Sequence, residues 1–335
     1  MVSPELKDII ALRVDAVFIP VIGNIDINNN TFDIKVDIDV SWAATAEDKE
    51  KAKEKSRKYK PTFVPDLVFM NSLAVGVEKL VPLEADSEYL FLPTERNSIR
   101  QRFIGTMVNE YDVGSFPFDV QHLIIAVSIS FFPQSMVYFE PRSDGKPFVY
   151  VPTTYTAVPG FELSRAFGFV TSDSDFSVLV AAVQVKRIPG PYFFRIFLPL
   201  LALNAATFSM YAVDSIEAKI NNLITTLLSF VGMIYILSSL VPMCGKSNVF
   251  DRYAMSSVML CVMSIFISGW DKTSDLSIYI HGGLCAALHV YVCISMGWQA
   301  LKSREKLKSS DLETVTNNIY EKKVLTYVFP KKKKD

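Results

Sequence analysis

The sequence predicts an all-β sandwich of immunoglobulin-like type, followed by a four-helix transmembrane bundle. Three observations carry this prediction: residues 1–190 alternate apolar and polar positions, residues 191–301 consist of long apolar runs, and residues 302–335 are lysine-rich. A period of two is typical of half-buried strands, whereas a bilayer-crossing helix needs about 20 mostly apolar residues. We therefore expect a β domain, a membrane domain and a basic tail with these boundaries.

Composition narrows the classes of partner. The 335 residues are 50% hydrophobic and carry a net charge of -1, so no charge excess indicates nucleic acid, and membrane lipid is the expected partner. The four cysteines are Cys244, Cys261, Cys285 and Cys293, so the first domain has no disulfide. We expect the last three to be buried, reduced thiols in apolar runs. Because no CxxC spacing occurs, we predict no metal site and no cofactor.

The strand signal is clearest in TFDIKVDIDVSW, residues 31–42. Its apolar members alternate with Asp33, Lys35, Asp37, Asp39 and Ser41. Five further segments, which start near residues 10, 89, 120, 160 and 176, share this composition. Turn residues predict breaks between strands at residues 23–30, 82–87, 143–147 and 171–175. Both an antiparallel sandwich and a barrel fit such spacing. The charged segment 47–59 is predicted to be a solvated excursion, with a helical turn as one option.

Each of four apolar segments is long enough to cross a bilayer: Tyr192–Val213, Ile216–Val241, Val249–Trp270 and Leu276–Ala300. Their connections are short, so consecutive helices run antiparallel. Both ends of the bundle then lie on one side of the membrane, which places the β domain and the tail on the same face.

The second apolar segment carries a mostly polar stripe at helical spacing. Its members are Glu217, Asn221, Thr225, Leu228, Gly232, Tyr235 and Ser239. Polar groups in a membrane usually face protein or water rather than lipid. The stripe is therefore either buried between neighbouring helices or lines a pore. Its gradation, with an acid at one end and Leu228 in the middle, favours a pore.

Several motifs occur in a fixed order along residues 8–301: Trp42, VPD (Val64–Asp66), FPFD (Phe116–Asp119), KRIPGPYFFRIFLPL (Lys186–Leu200), EAK (Glu217–Lys219), Leu228 and Pro242. Together they resemble one family, the pentameric ligand-gated ion channels or Cys-loop receptor superfamily. The positions of the family disulfide hold Asn109 and Leu123. The chain therefore resembles the cysteine-less branch, which includes the prokaryotic members.

The resemblance implies a homo-pentamer around a central pore, in which a small molecule or proton acts as agonist between neighbouring β domains. It implies a cell-membrane location with the N-terminal domain and the C-terminus extracellular or periplasmic. A ring of Glu217 carboxylates would favour permeating monovalent cations, and Leu228 would form an apolar gate. Lys219 is the competing charge, but two residues turn a helix by about 200°, so it points away from the Glu217 face.

The resemblance also implies two further groups of site residues. The expected gating interface comprises Asp26, Phe116, Pro117, Phe118, Asp119, Arg187, Pro242 and Lys246. The expected ligand site comprises Lys35, Asp37, Phe69, Asn71, Arg96, Arg100, Phe131, Phe132, Phe167 and Phe176. Strand phenylalanines are more often core residues, and tryptophan is missing from these positions, which argues against amine recognition. His122 is either structural or a contributor to proton gating.

Three function classes remain open: a cation channel, an anion channel of the same fold, and a non-conducting membrane receptor. We do not expect an enzyme, because no Ser–His–Asp order, HExxH, P-loop or GxGxxG motif appears at a suitable position. His281 and His289 are expected to be packing or lipid-edge residues. The basic tail conflicts with the usual cytoplasmic placement of positive charge. We attribute the topology to the folded first domain and to a leader that we expect was removed.

Overall fold

A computed structural model describes residues 9–53, 60–73, 89–129, 133–141, 146–152, 158–173, 176–240, 248–270 and 275–308. The described residues form two compact units. The sandwich unit contains the described parts of Met1–Tyr111 and Gln121–Val185. The helical unit contains Asp112–Val120 and the described parts of Lys186–Ser309. The segment that carries FPFD therefore belongs to the helical unit, although strands flank it on both sides.

Within the described ranges, ten strands form two sheets, which lie almost entirely in the sandwich unit. Their bounds are β1 Ile10–Asp26, β2 Thr31–Ala43, β3 Leu67–Phe69, β4 Leu90–Leu92, β5 Arg96–Val108, β6 Val120–Ile129, β7 Val137–Glu140, β8 Val149–Tyr150, β9 Phe161–Asp173 and β10 Phe176–Arg187. The first sheet has the order β4-β5-β2-β1-β7, with β8 also paired to β1. The second has the order β3-β6-β10-β9. The two-sheet arrangement confirms the sandwich and excludes the barrel alternative.

The predicted alternation in β2 is confirmed, because its apolar side chains are at most 3% exposed and point into the core: Phe32, Ile34, Val36, Ile38 and Val40. By contrast, β6 and β10 are buried along almost their whole length. Strands covered on both faces read as continuous apolar runs, which is how LIIAVSI and VLVAAV appear in the sequence.

The predicted break at residues 23–30 begins four residues too early, because β1 continues to Asp26 and pairs Ile25 with Phe32. A register shift between Ile22 and Ile25 accommodates Gly23 within the strand. The strands β3, β7 and β8 were not predicted, since two to four residues cannot show a period. The charged excursion does contain a helix, α1 (Ala46–Lys53). The predicted break at residues 82–87 lies outside the described residues.

The described part of the helical unit contains four spans that are long and apolar enough to cross a membrane. The first runs without a break over Gly190–Ala212, as α2 (Gly190–Tyr192), a π-helical segment (Phe193–Phe197), α3 (Leu198–Ser209) and a 3₁₀ turn (Met210–Ala212). The others are α4 (Ile216–Leu240), α5 (Val249–Trp270) and α6 (Asp275–Lys308). Helix α3 packs against α4, α5 and α6. The chain is thus built as a multi-pass membrane protein.

Helix α6 ends at Lys308 rather than at the predicted Ala300. The residues beyond it read LKSREKLK, and all but the serine are strong helix formers without glycine or proline. Hydropathy falls after Ala300, but helix propensity extends α6 beyond the apolar segment.

The Asp48 carboxylate holds α1 on the sandwich. It is 1% exposed and accepts hydrogen bonds from the Thr62 backbone N–H and hydroxyl at 2.8 Å each. It also accepts from Asn97 Nδ2 at 2.8 Å and from the Thr45 N–H at 3.1 Å. Burial by itself would raise the pKa of Asp48, but these hydrogen bonds outweigh burial and lower the pKa below its ordinary value.

We predict that Asp48→Asn lowers the stability of the sandwich unit at neutral pH, and that this loss shrinks in acid. A depressed folded-state pKa contributes stability above the unfolded pKa of about 4, and this contribution disappears as pH falls through the folded value. The measurement is a pH series of urea unfolding curves followed by Trp42 fluorescence, in a background with Trp270→Phe and Trp298→Phe.

Glu50→Gln is the matched control, because Glu50 lies on the same helix in an exposed pair with Lys53. It should change neither the midpoint nor its pH dependence. A difference between wild type and Asp48→Asn that stays constant down to pH 3 would show that the carboxylate charge is not the source of the stability.

Candidate functional site

The most buried ion pair among the described residues joins Arg187 to Asp119. Arg187 Nε donates to Asp119 Oδ1 at 2.7 Å, and Nη2 donates to Oδ2 at 3.1 Å. The backbone N–H of Arg187 also donates to the Asp119 carbonyl, at 3.1 Å. Arg187 is 4% exposed and Asp119 is 1% exposed, so both charges are withdrawn from water. This fork-to-fork geometry is the strongest form of such a pair.

Aromatic rings enclose the guanidinium. Its carbon lies 5.0 Å from the Phe116 ring centroid and 5.6 Å from that of Tyr192, whose hydroxyl accepts a hydrogen bond from Nη1 at 3.1 Å. Phe116 is fully buried and makes edge contacts with Tyr192 at 4.8 Å and with Phe250 at 6.0 Å. The FPFD segment is thereby fastened to the starts of two membrane helices, the first and the third.

The structure brings together the core of the predicted gating interface. Phe116, Asp119 and Arg187 are in direct contact, and Pro117 follows Phe116 through a cis peptide bond. Phe118 is partly buried in the same turn. Sequence reasoning missed Tyr192 and Phe250; the aromatic residue five positions after the arginine was the available signal for Tyr192.

Two other predicted members of the interface are not described, Pro242 and Lys246. Asp26 lies in the sandwich unit, at the turn between β1 and β2. There its carboxylate accepts hydrogen bonds from the Asn29 N–H at 3.0 Å and from Asn29 Nδ2 at 2.7 Å. These bonds lower the pKa of Asp26. The role of Asp26 in gating stays a prediction.

Helix α4 turns the predicted stripe away from the bundle. The stripe residues with described side chains are all exposed in the single chain: Glu217, Asn221, Thr225, Leu228, Gly232 and Tyr235. The opposite face is buried, with Leu223, Phe230 and Leu237 at most 4% exposed. The alternative of a stripe buried between helices of the same chain is therefore excluded for these residues. The Ser239 side chain is outside the described set.

Lys219 lies on the buried side of α4, as its rotation from Glu217 predicts. It is 5% exposed, and its ammonium nitrogen lies 5.8 Å from the centroid of the Tyr211 ring. A cation over an aromatic face is stabilised by the ring quadrupole. The positive charge is thus held inside the chain, while the carboxylate of Glu217 stays exposed.

The exposed faces of the other described membrane helices are dominated by large apolar side chains, which suit lipid. They include Leu198, Phe208, Met255, Met259, Met263, Phe266, Ile280, Leu284, Val290, Ile294 and Trp298. The exposed face of α4 is different, because it also carries Glu217, Asn221, Asn222, Thr225, Ser229 and Ser238. Polar side chains exposed at membrane depth require protein or water as their neighbour.

The facing side of the predicted ligand site forms a ladder across β2 and β5. Arg100 binds Asp39 through two hydrogen bonds of 2.7 and 2.8 Å. Arg102 binds Asp37 at 2.7 and 3.0 Å, which explains why Asp37 is buried on a polar face. Arg96 Nη2 donates to the Ser41 carbonyl at 2.9 Å. Lys35 lies one step further along β2. Two of the predicted charges, Asp37 and Arg100, are therefore already neutralised by neighbours on the opposite strand.

The aromatic side of the predicted ligand site is mostly core. Phe69 is 8% exposed and stacks on Phe103 at 4.2 Å, and Phe167 packs against the cluster around Ile124 and Phe169. Phe176 is 39% exposed, at the tip of β10. Phe131 and Phe132 lie outside the described residues. Only Phe176 among the described aromatic candidates is positioned to meet a ligand from solvent.

Asn71 ties the two sheets together. Its Nδ2 donates to the carbonyls of Val108 at 3.0 Å and Ile124 at 2.7 Å, and its Oδ1 accepts from the Ala126 N–H at 3.0 Å. An amide offers two donor protons, so both are used within the fold. Its predicted contact with a ligand stays untested, but its structural role is direct.

Among the described cysteines, Cys261 is buried as predicted, whereas Cys285 is only partly buried and Cys293 is exposed, both on α6. Within the described ranges, no group of three or more His, Cys, Asp or Glu side chains is arranged to hold a metal ion. The helix histidines are in contact with other residues, as expected, but their partners are polar. Tyr253 OH lies 2.9 Å from His289 Nε2, and Ser264 Oγ lies 3.0 Å from His281 Nε2.

We predict that Arg187→Met and Asp119→Leu each destabilise the purified protein by about 3–5 kcal/mol, because each leaves one buried charge without its partner. The double variant should cost less than either single variant, since it removes both charges. The measurement is the free energy of unfolding in detergent for the complete double-mutant cycle.

Arg100→Met is the control, because the Arg100 side chain is 63% exposed in its pair with Asp39. Its expected cost is at most about 1 kcal/mol. Additive losses at Arg187 and Asp119 would contradict a coupled buried pair.

Comparison with known proteins adds no family assignment. A scan against models of protein families found no match for this chain, and a search of curated proteins also found none.

Proposed function

We propose that the chain is a subunit of a pentameric ligand-gated or proton-gated cation channel, in which α4 lines the pore. The observation that carries the proposal is the exposed polar face of α4, on a helix long and apolar enough to cross a membrane. A single chain leaves this face without a protein neighbour. Assembly of several chains around an axis would place this face against the same face of neighbouring chains, and a central pore would supply water to its polar groups.

The chemistry of the face favours cations. Thr225 Oγ1 donates its proton to the Asn221 carbonyl, and Ser229 Oγ donates to the Thr225 carbonyl, each at 3.0 Å. With their protons used along the helix, these hydroxyls present oxygen lone pairs outward. Glu217 adds an exposed carboxylate at the start of α4, while Lys219 is withdrawn. The face thus offers oxygen ligands and negative charge.

Opening of the pore requires that agonist binding in the β domain change the position of α4. The Arg187–Asp119 pair supports this coupling, because it fastens the FPFD segment to the first membrane helix, and α3 packs against α4. Agonist binding between neighbouring β domains would favour one of two packings of this charged, ring-enclosed contact. The motif resemblance to Cys-loop receptors supports the same route. The proposed location is the cell membrane, with the β domain outside.

The defining experiment is recording from bilayers that contain only this purified chain, over a pH series and a panel of amines, amino acids and carboxylates. Gated current together with a pentameric mass in detergent supports the proposal. Silence under every condition favours a non-conducting receptor. A reversal potential that follows chloride favours an anion channel of the same fold.

Charge at Glu217 should set selectivity. We predict that Glu217→Lys shifts the reversal potential under a KCl gradient towards that of chloride, because five added ammonium groups replace five carboxylates. Glu217→Gln should lower conductance to cations without reversing selectivity.

Lys219→Met is the matched control for Glu217, since it removes a charge two residues away but on the buried face. It should leave the reversal potential unchanged. A larger shift from Lys219→Met than from Glu217→Gln would place the wrong face of α4 in the pore.

The polarity of the side chain at position 228 should determine whether the closed pore excludes water. The Leu228 side chain is 71% exposed at mid-helix, where a ring of five would exclude water. We predict that Leu228→Ser raises current without agonist, because a hydroxyl ring wets the constriction. Leu227→Ser, at the neighbouring partly buried position, should not raise this basal current. Equal basal currents in the two variants would remove Leu228 as the gate.

A further inference from the structure

A histidine and a cysteine on α6 are held together at the start of its apolar span, Tyr279–Glu305. His281 Nε2 lies 3.5 Å from Cys285 Sγ, one helical turn further along. His281 is 1% exposed, and Cys285 is partly exposed. Close approach of α3 assists this burial, because a Cβ on Gly282 would lie 3.0 Å from Phe208 Cε2.

We propose that His281 and Cys285 form a binding site for a soft divalent metal ion, Zn²⁺ or its probe Cd²⁺. Zn²⁺ bonds of about 2.0–2.1 Å to nitrogen and about 2.3 Å to sulfur, at a tetrahedral angle, place the two ligand atoms about 3.5 Å apart. The observed nitrogen–sulfur distance is 3.5 Å. The two ligand atoms are therefore already at chelating separation.

Two hydroxyls complete the surroundings of the site. Ser264 Oγ lies 3.0 Å from His281 Nε2 and donates its own proton to the Leu260 carbonyl at 2.9 Å. Its lone pairs therefore face the imidazole. Tyr211, whose ring centroid lies 5.2 Å from that of His281, carries a second buried hydroxyl. These oxygens suit the outer positions of a weak tetrahedral site, or a metal-bound water.

The hydrogen-bond pattern fixes the proton balance. Because Ser264 donates to a carbonyl, it accepts from His281, so Nε2 carries the imidazole proton and Nδ1 is the bare nitrogen. Metal binding breaks the Cys285 S–H bond, forms metal–sulfur and metal–Nε2 bonds, and moves the imidazole proton to Nδ1. One proton per ion is released to solvent. Nδ1 has no hydrogen-bond partner in the described structure, and Lys219 contributes positive charge beside Tyr211, so affinity is modest.

The same helix contains an internal control. His289 and Cys293 repeat the spacing of four residues, but the Cys293 side chain is exposed and both nitrogens of His289 are engaged. His289 Nδ1 lies 2.7 Å from the Cys285 carbonyl, and Nε2 lies 2.9 Å from Tyr253 OH. If spacing alone made a site, both pairs would bind. The structure assigns only the first.

The test is titration of the full-length purified chain with Cd²⁺, read by the thiolate-to-Cd²⁺ charge-transfer absorbance and by the metal-dependent rise in melting temperature. We expect one Cd²⁺ per chain, loss of the band in Cys285→Ser, and at least about tenfold weaker binding in His281→Ala, since a ligand is worth no less than its supporting partners. Cys293→Ser and His289→Gln should keep the wild-type affinity.

Absence of a stoichiometric band in the wild type would overturn the proposal, as would a band that survives Cys285→Ser or is lost in Cys293→Ser. These readouts need no ionic current. A failed metal site thus leaves the channel proposal intact, and a silent channel leaves the metal site testable.

Discussion

The helical unit is organised around one buried positive charge, the guanidinium of Arg187. Arg187 is withdrawn from water, and its guanidinium contacts Asp119, Tyr192 and the face of Phe116. Burial opposes the charge, yet the carboxylate opposite outweighs burial and raises the pKa of Arg187, so it stays cationic. Because a buried charge without its partner is costly, the FPFD segment and the start of the first membrane helix are held as one piece. Phe250 extends that piece to α5.

In both units, the hydrogen-bond partners of a polar side chain show whether it supports the fold or faces outward. Asp37, Asp48 and Asn71 are buried, and every hydrogen bond described for them goes to the fold itself. The polar groups of α4 behave differently, because their hydroxyl protons bond to their own helix and their oxygens remain outward. This contrast supports a surface made for ions rather than for packing.

The sequence predicted what depends on local periodicity. The alternation in β2 and the four apolar spans were predicted because the polarity of each residue indicates whether its side of the strand or helix is buried. The short strands β3, β7 and β8 were missed, since they exist only through pairing with distant strands. The Arg187–Asp119 pair joins residues 68 positions apart, so only motif resemblance indicated it. The links made by Asn71 depend on where three strands meet, and no spacing in the sequence encodes that meeting.

The burial of Lys219 has a mechanical consequence for α4. Its ammonium is held over the Tyr211 ring on the side opposite Glu217. Rotation of α4 about its own axis would drag this charge out of its aromatic contact and across apolar neighbours. Tilting or bending further along the helix leaves the contact in place. Lys219 therefore fixes the rotation of α4 about its own axis, while the helix remains free to tilt.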